Sequence, residues 1–107
     1  MRNVHFETSG DNKDNGTKYD PKKGTFLPTV TDRDLAKIVD TGLQDQGPWT
    51  LNKDNYYEKT FAYSGIGKRS ATFGNGLPSN TVTLVVEQFP EPKYGTVEIV
   101  TMYPADA

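Results

Sequence analysis

The chain has 107 residues, a net charge of −2 and 34% hydrophobic residues, which indicates a single domain (1–107) with a small core. It contains no cysteine and one histidine, so zinc binding through cysteine and thiol catalysis are excluded. The mildly acidic balance argues against a nonspecific DNA binder, whose affinity depends on neutralising many phosphates. We therefore expect no DNA partner.

Residues 1–30 are predicted to form a short polar hairpin and loop. Residues 4–7 alternate like a brief strand, and the pair Asn15-Gly16 is a typical turn signal. Acidic residues are interspersed among the lysines of this segment, which favours a solvated loop over a nucleic-acid patch. These lysines are Lys13, Lys18, Lys22 and Lys23.

Residues 31–43 are predicted to form a helix. Thr31 is a good N-cap, and Asp32 and Asp34 lie in the first turn, where the helix dipole favours negative charge. The apolar side chains of the segment share one face: Leu35, Ile38, Val39 and Leu43. A helix of three turns is marginal alone, so this face is expected to pack on a sheet.

The segment 56–103 is predicted to form that sheet. Four strand-like runs cover residues 56–64, 66–73, 80–89 and 96–103, and turn residues separate them. Short connections of this kind are typical of a β-meander. The predicted fold class is therefore α+β, with a short N-terminal polar hairpin, one packing helix and a four-stranded antiparallel β-meander.

Polar side chains on the predicted strands indicate a site suited to metal-free ribonuclease chemistry. This chemistry needs a base for the ribose 2'-hydroxyl, an acid for the leaving 5'-oxygen, and cations or hydroxyls around the phosphate. Histidine is the residue type whose ordinary pKa suits acid–base work at neutral pH, which makes His5 the first candidate. Glu87 or Glu98 is the alternative base, and Lys68 or Arg69 would stabilise the phosphate charge.

Hydroxyl groups complete the candidate site. Thr101 and Tyr103 are predicted to join the catalytic set, while Lys59, Ser70 and Thr72 are predicted to contact the substrate. The acidic residues of the N-terminal loop lack calcium-loop spacing and are mixed with lysines. We expect no metal and no cofactor.

The order of these segments, together with the closing sequence Ile-Val-Thr-Met-Tyr-Pro at 99–104, resembles a known group of toxins. It resembles the small toxin ribonucleases of the barnase, EndoU, colicin and RelE group. More narrowly, it is similar to the C-terminal toxin domains of bacterial contact-dependent growth inhibition proteins and related polymorphic toxins. Several members of this group cleave transfer RNA. The resemblance therefore implies metal-independent cleavage of RNA, with transfer RNA as the expected substrate, through a 2',3'-cyclic phosphate. It also implies that the catalytic work is shared by His5, Lys68 or Arg69, Thr101 and Tyr103.

The same resemblance implies a biological setting. Such a toxin is delivered from a bacterium, acts in the cytoplasm of a target cell and is held inactive in its producer by a cognate immunity protein. No run of 18 apolar residues occurs in the chain, so no membrane span is expected.

A non-enzymatic binding module, such as an immunity or inhibitor protein, is the alternative function. It explains the acidity of the chain and the scarcity of catalytic residue types. A structural accessory domain is a third possibility, and cleavage of bacterial RNA without added metal distinguishes the enzyme from both.

Overall fold

The fold is an α+β arrangement in which one helix packs on a four-stranded antiparallel sheet, as the sequence predicts. A computed structural model describes residues 11–12, 17–18, 21–87 and 99–106. The sheet contains β4 (Thr50–Leu51), β5 (Tyr57–Ala62), β7 (Thr81–Val86) and β8 (Ile99–Pro104). These strands lie side by side in the order β4-β5-β7-β8, so the sheet is four-stranded and antiparallel, as predicted.

Two small ribbons and a helical turn complete the described elements. The first ribbon pairs β1 (Asp11–Asn12) with β2 (Thr17–Lys18), and the second pairs β3 (Thr25–Phe26) with β6 (Gly67–Lys68), both antiparallel. The helical turn α2 covers Ala71–Gly74. The predicted strand around His5 lies outside the described residues.

The predicted helix is confirmed as α1, which runs from Asp32 to Gln44. Thr31 and Asp34 form a capping box, because the Asp34 N–H donates to Thr31 Oγ1 (3.2 Å) and the Thr31 N–H donates to Asp34 Oδ2 (3.0 Å). These hydrogen bonds from Thr31 lower the pKa of Asp34. The carboxylate therefore stays charged at the positive end of the helix dipole.

The core lies between α1 and one face of the sheet. Leu35 and Ile38 of the helix are buried against strand residues that include Phe61 and Leu84. Gly42 brings the helix close to β5, since a Cβ added there would lie 2.6 Å from the Phe61 ring. The helix can approach the sheet this closely because residue 42 has no side chain.

The pairing register decides which side chains face away from the helix. Phe61 pairs with Val82, and Leu84 pairs with Met102, so these buried side chains share the helix-facing side. Successive residues of a strand point to opposite faces. The other face therefore carries Glu58 and Thr60 of β5, Thr83 and Val85 of β7, and Thr101 and Tyr103 of β8.

The prediction of a strand over residues 66–73 is wrong. Gly67–Lys68 does form a strand, but it pairs with Thr25–Phe26 outside the main sheet. The chain then enters α2, because the Ser70 hydroxyl accepts a hydrogen bond from the Phe73 N–H and caps the turn. The place of this strand in the main sheet is taken by Thr50–Leu51, an edge strand that the sequence did not predict.

The other strands are shorter than predicted. The run 56–64 forms Tyr57–Ala62, and the run 80–89 forms Thr81–Val86. The last strand occupies Ile99–Pro104, and the beginning of its predicted run lies outside the described residues. Within the described ranges, no helix has the length and apolar character needed to cross a membrane.

Candidate functional site

The face of the sheet that points away from α1 is rich in polar side chains. Two rows cross it: Glu58 pairs with Val85 and Val85 with Thr101, while Thr60 pairs with Thr83 and Thr83 with Tyr103. Within the second row, the hydroxyls of Thr60 and Thr83 lie 2.7 Å apart and share a hydrogen bond. This face therefore places a carboxylate and a phenol on neighbouring rows of one rigid sheet.

A cleft of about 500 Å³ lies over this face. Its reactive or charged lining side chains include Lys23, Lys53, Glu58, Thr101 and Tyr103. Asn52, Asp54 and Tyr56, from the turn between β4 and β5, line another part of it. A neighbouring depression of about 410 Å³ shares Glu58 and Tyr103 with the cleft, so these two residues lie where the concave surfaces meet.

Tyr103 is the most strongly perturbed ionisable group of the cleft. Burial raises the pKa of its phenol above the ordinary 10.0, and the negative charges of Glu58 and Asp106 raise this pKa further. The phenol is protonated at physiological pH, as an ordinary tyrosine is, and the raised pKa makes it hold that proton more tightly. Glu58 and Tyr103 both line the cleft and the neighbouring depression, so the two side chains share one concave surface.

Lys23 brings positive charge to the same place. Its Nζ lies over the Tyr103 ring, 4.9 Å from the ring centroid, in cation–π geometry. Lys53 lines the cleft from the turn after β4. The cleft thus combines two carboxylates (Asp54 and Glu58), two phenols (Tyr56 and Tyr103) and two ammonium groups. Such a set is able to hold an anionic ester and to move protons around it.

Of the predicted catalytic residues, the structure brings Thr101 and Tyr103 together in this cleft. Lys68 and Arg69 are not among its lining residues. Lys68 lies in the β3–β6 ribbon opposite Thr25, and the Nε of Arg69 is buried without a hydrogen-bond partner among the described residues. The structure therefore does not group Lys68 and Arg69 with Thr101 and Tyr103.

Two of the predicted substrate-binding residues, Ser70 and Thr72, make hydrogen bonds that hold the fold together. Ser70 is fully buried, where its N–H and hydroxyl donate to Oδ1 (2.7 Å) and Oδ2 (3.1 Å) of Asp106. Thr72 is exposed in α2, and its N–H donates to the Pro21 carbonyl at 3.0 Å. The hydroxyl of Ser70 is thus used to cap α2 and to hold the C-terminal segment.

Lys59 points to the helix side of the sheet, and its side chain is 4% exposed. Its Nζ donates to the carbonyl oxygens of Gly42 (2.9 Å) and Asp45 (2.7 Å) and lies 4.5 Å from the centroid of the Trp49 ring. Burial lowers the pKa of Lys59, and Asp45 opposes that shift. The ammonium group thus caps the helix. Lys59 is not among the lining residues of the cleft, although it contributes to the lining of the neighbouring depression.

None of the three predicted general bases is among the described residues that line the cleft. His5 and Glu98 lie outside the described residues, so their roles stay predictions. Glu87 is described and exposed, directly after β7, and it is not among the lining residues of the cleft. Glu58 is the carboxylate that lines both the cleft and the neighbouring depression together with Tyr103.

Sequence reasoning missed Glu58 and Lys23 as site residues. A signal for Glu58 was present, because Phe61 is a core residue and the alternation of β5 puts Glu58 and Thr60 on the opposite face. No local pattern marks Lys23, which approaches Tyr103 from a loop far away in the sequence.

No group of three or more histidine, cysteine, aspartate or glutamate residues is arranged to hold a metal within residues 21–87 and 99–106. Comparison of the chain with protein-family models, curated proteins and solved structures finds no match. The geometry and chemistry of the cleft are therefore the basis for assigning a function.

Proposed function

We propose that this protein is a metal-independent endoribonuclease whose active site is the cleft on the polar face of the sheet. The observation that carries the proposal is the grouping of Glu58, Tyr103 and Lys23 around one open cleft. A base, an acid and a cation are the three elements that cleavage by the neighbouring 2'-hydroxyl requires.

In the proposed reaction, Glu58 removes the proton of the ribose 2'-hydroxyl. The 2'-oxygen then bonds to phosphorus, and the bond from phosphorus to the 5'-oxygen breaks. Tyr103, whose phenol is protonated at neutral pH, donates its proton to that departing oxygen. The products are a 2',3'-cyclic phosphate and a free 5'-hydroxyl, so atoms and charges balance without a metal.

Lys23 and Lys53 would neutralise charge on the phosphate during the same step. A positioned cation of this type is worth about 10² to 10³ in rate, and an acid–base group about 10² to 10⁴. Thr101 lies in the row of Glu58 and lines the cleft, and in this proposal its hydroxyl helps to orient the ribose or the phosphate. His5 remains a second candidate acid or base on the sequence pattern alone.

An open cleft favours a single-stranded region of RNA, such as a transfer RNA loop, over a duplex. Sequence-specific proteins usually read RNA where bases are unpaired and can be stacked on aromatic side chains. Tyr56 supplies such a ring within the cleft. A DNA substrate lacks the 2'-hydroxyl that the reaction consumes, which agrees with the expectation of no DNA partner.

The proposal extends to a protein partner. Phe73 of α2 and Leu77, three residues after the end of α2, are 68% and 52% exposed. The segment of Leu77 runs beside Lys68 and Arg69, because the Arg69 N–H donates to the Leu77 carbonyl at 2.7 Å and Lys68 forms a β-bridge with Pro78. An apolar pair next to basic residues is a suitable contact for an acidic protein. We therefore propose this surface as the contact for a cognate immunity protein of a delivered bacterial toxin that acts in the cytoplasm of its target cell.

The test of the enzymatic function is incubation with bacterial transfer RNA in the presence of EDTA. We expect discrete fragments that end in 2',3'-cyclic phosphate, detected by their resistance to phosphatase until the cyclic end is opened. A requirement for a divalent metal, or fragments with 5'-phosphate ends, would contradict the mechanism. RNA that stays intact while the exposed α2 surface binds a protein would favour the binding-module alternative.

A further inference from the structure

The turn between β4 and β5 holds one amide side chain in a fixed orientation within the cleft. Asn52 Oδ1 accepts hydrogen bonds from the N–H groups of Asp54 (2.9 Å) and Tyr56 (3.1 Å). The Asn52 N–H also donates to the Tyr56 carbonyl at 2.8 Å. Both partners of the side-chain oxygen are backbone donors, so the oxygen, and not the nitrogen, must face them.

A left-handed residue closes this turn. Asn55 has φ of 65°, and its N–H donates to the Asn52 carbonyl at 3.1 Å. Asparagine tolerates this conformation better than most residues with a side chain. The backbone and the amide of Asn52 thus hold each other in place before any ligand binds.

The orientation of Asn52 determines what it can offer to a ligand. Its oxygen already accepts two hydrogen bonds, which fills both lone pairs of an amide oxygen. The NH2 group is the part left to face a ligand, and it can only donate. Among RNA bases, uracil O4 and guanine O6 accept such a hydrogen bond, whereas adenine and cytosine carry an amino donor at the equivalent position.

The distance from this turn to Glu58 fits one nucleotide. Tyr56 lies just before β5, two residues ahead of Glu58, and both residues line the cleft. Two residues of extended chain span about 6.6 Å. The ribose 2'-hydroxyl and the far edge of its own base are separated by a similar length. A base stacked on Tyr56 therefore belongs to the ribose whose hydroxyl lies at Glu58.

We propose that Asn52 and Tyr56 form a base-recognition subsite that selects a keto base, uracil or guanine, on the 5' side of the cleaved phosphate. Tyr56 supplies the stacking surface, and the Asn52 NH2 group donates to the keto oxygen. The subsite rests on the proposed ribonuclease function and defines its substrate class. An amino base in this position would direct its own donor at the Asn52 donor and leave both unpaired.

The test uses four DNA oligonucleotides that each contain a single ribonucleotide, either U, G, A or C, in the same flanking sequence. Cleavage occurs only after the ribonucleotide, so kcat/KM reports the base at the proposed subsite. We expect kcat/KM for cleavage after U and G to be about tenfold higher than after A and C. This factor corresponds to the free energy of one hydrogen bond that the keto bases make and the amino bases do not.

Asn52→Asp is the informative variant, because a carboxylate still accepts from both backbone N–H groups while the NH2 donor is removed. We expect this variant to fold, to cleave RNA and to lose the preference for keto bases. Asn55→Gly is the matched control, since glycine adopts the positive φ of the turn and leaves Asn52 unchanged. It should keep the wild-type order of the four bases.

The outcomes separate the subsite from the enzyme. An active Asn52→Asp protein with the wild-type preference would overturn the subsite and leave the ribonuclease intact. Equal cleavage after all four bases in the wild-type protein would do the same. A protein that cuts neither these oligonucleotides nor natural RNA would overturn the proposed function and, with it, the subsite.

Discussion

The Nζ of Lys59 lies 2.9 Å from the carbonyl oxygen of Gly42, so a strand residue closes the C-terminal end of α1. The last turn of the helix contains no basic residue of its own. Lys59 supplies the positive charge that the helix dipole favours there, and it also binds the Asp45 carbonyl. The same ammonium group lies over the Trp49 ring, so one side chain joins the sheet, the helix end and the following loop.

We expect Lys59→Met to lower the free energy of unfolding by about 2 to 4 kcal/mol, because two carbonyls lose a charged donor. Lys37→Met is the matched control, since Lys37 is exposed on α1 and its replacement should change stability by less than about 0.5 kcal/mol. Urea denaturation of both variants measures the difference. Equal stabilities would show that Lys59 does not cap the helix.

The helix was predictable from the sequence because its signals are local. Thr31 and Asp34 lie three residues apart and satisfy each other, and Leu35 and Ile38 repeat at helical spacing. Such features do not depend on the rest of the fold. The observed helix, Asp32–Gln44, differs from the predicted 31–43 by one residue at each end, since Thr31 is the N-cap.

The strand predicted over 66–73 failed because turn chemistry overrides alternation there. Ser70 is an N-cap, and Asn75 and Gly76 adopt positive φ values of 54° and 65°, which ends α2 and reverses the chain. Sequence alternation alone cannot show that Gly67–Lys68 pairs with Thr25–Phe26, a contact between distant segments.

The candidate site was only partly predictable for the same reason. Thr101 and Tyr103 alternate on one strand, so their shared face could be inferred from the sequence. Their proximity to Glu58 depends on the register between β5, β7 and β8, and their proximity to Lys23 depends on a loop position. Neither is specified by local residue patterns.

The C-terminal segment is held by a carboxylate, and this contact gives a second prediction. Asp106 accepts from the N–H and the hydroxyl of Ser70, which is fully buried. We expect Asp106→Ala to cost about 1 to 3 kcal/mol, because a buried N–H loses its acceptor. Asp40→Ala, on the exposed side of α1, should cost much less. Thermal unfolding compares the two, and similar melting temperatures would contradict a structural role for Asp106.

Glu58 gives the third prediction. Glu58→Gln keeps the shape of the side chain but cannot accept the 2'-hydroxyl proton, so kcat on RNA should fall by about 10²- to 10⁴-fold. The melting temperature should stay close to that of the wild-type protein. Glu87→Gln is the matched comparison, since Glu87 is exposed and does not line the cleft. Should Glu87→Gln lose the activity and Glu58→Gln keep it, the base has been assigned to the wrong carboxylate.

Two adjacent lysines give the fourth prediction. Lys23 lies over the Tyr103 ring and lines the cleft, whereas Lys22 is exposed and does not line it. Lys23→Gln should lower kcat/KM by about 10² to 10³, the usual effect of removing a group that stabilises developing charge. Lys22→Gln should have a small effect that disappears as salt is raised. Equal effects of the two variants would indicate only a general attraction of RNA to the lysines.

Tyr103 gives the fifth prediction, which concerns pH. Burial and the charges of Glu58 and Asp106 raise the pKa of its phenol above 10.0, so the folded protein holds this proton more tightly than the unfolded chain does. The resulting stabilisation is fully present below pH 10 and is lost as the pH rises through the folded pKa. Wild-type protein should therefore lose stability above pH 10 more steeply than Tyr103→Phe, as measured by urea denaturation at a series of pH values.

The same pKa can be read directly from the absorbance of the phenolate. The alkaline titration of wild-type protein minus that of Tyr103→Phe isolates the Tyr103 phenol, and its midpoint should lie above 10.0. Glu58→Gln should move this midpoint down without returning it to 10.0, because burial is the larger cause of the shift and remains. If Glu58→Gln left the midpoint unchanged, the charge of Glu58 would not act on the Tyr103 phenol. The proposed division of roles between a carboxylate base and a phenol acid would then lose its structural support.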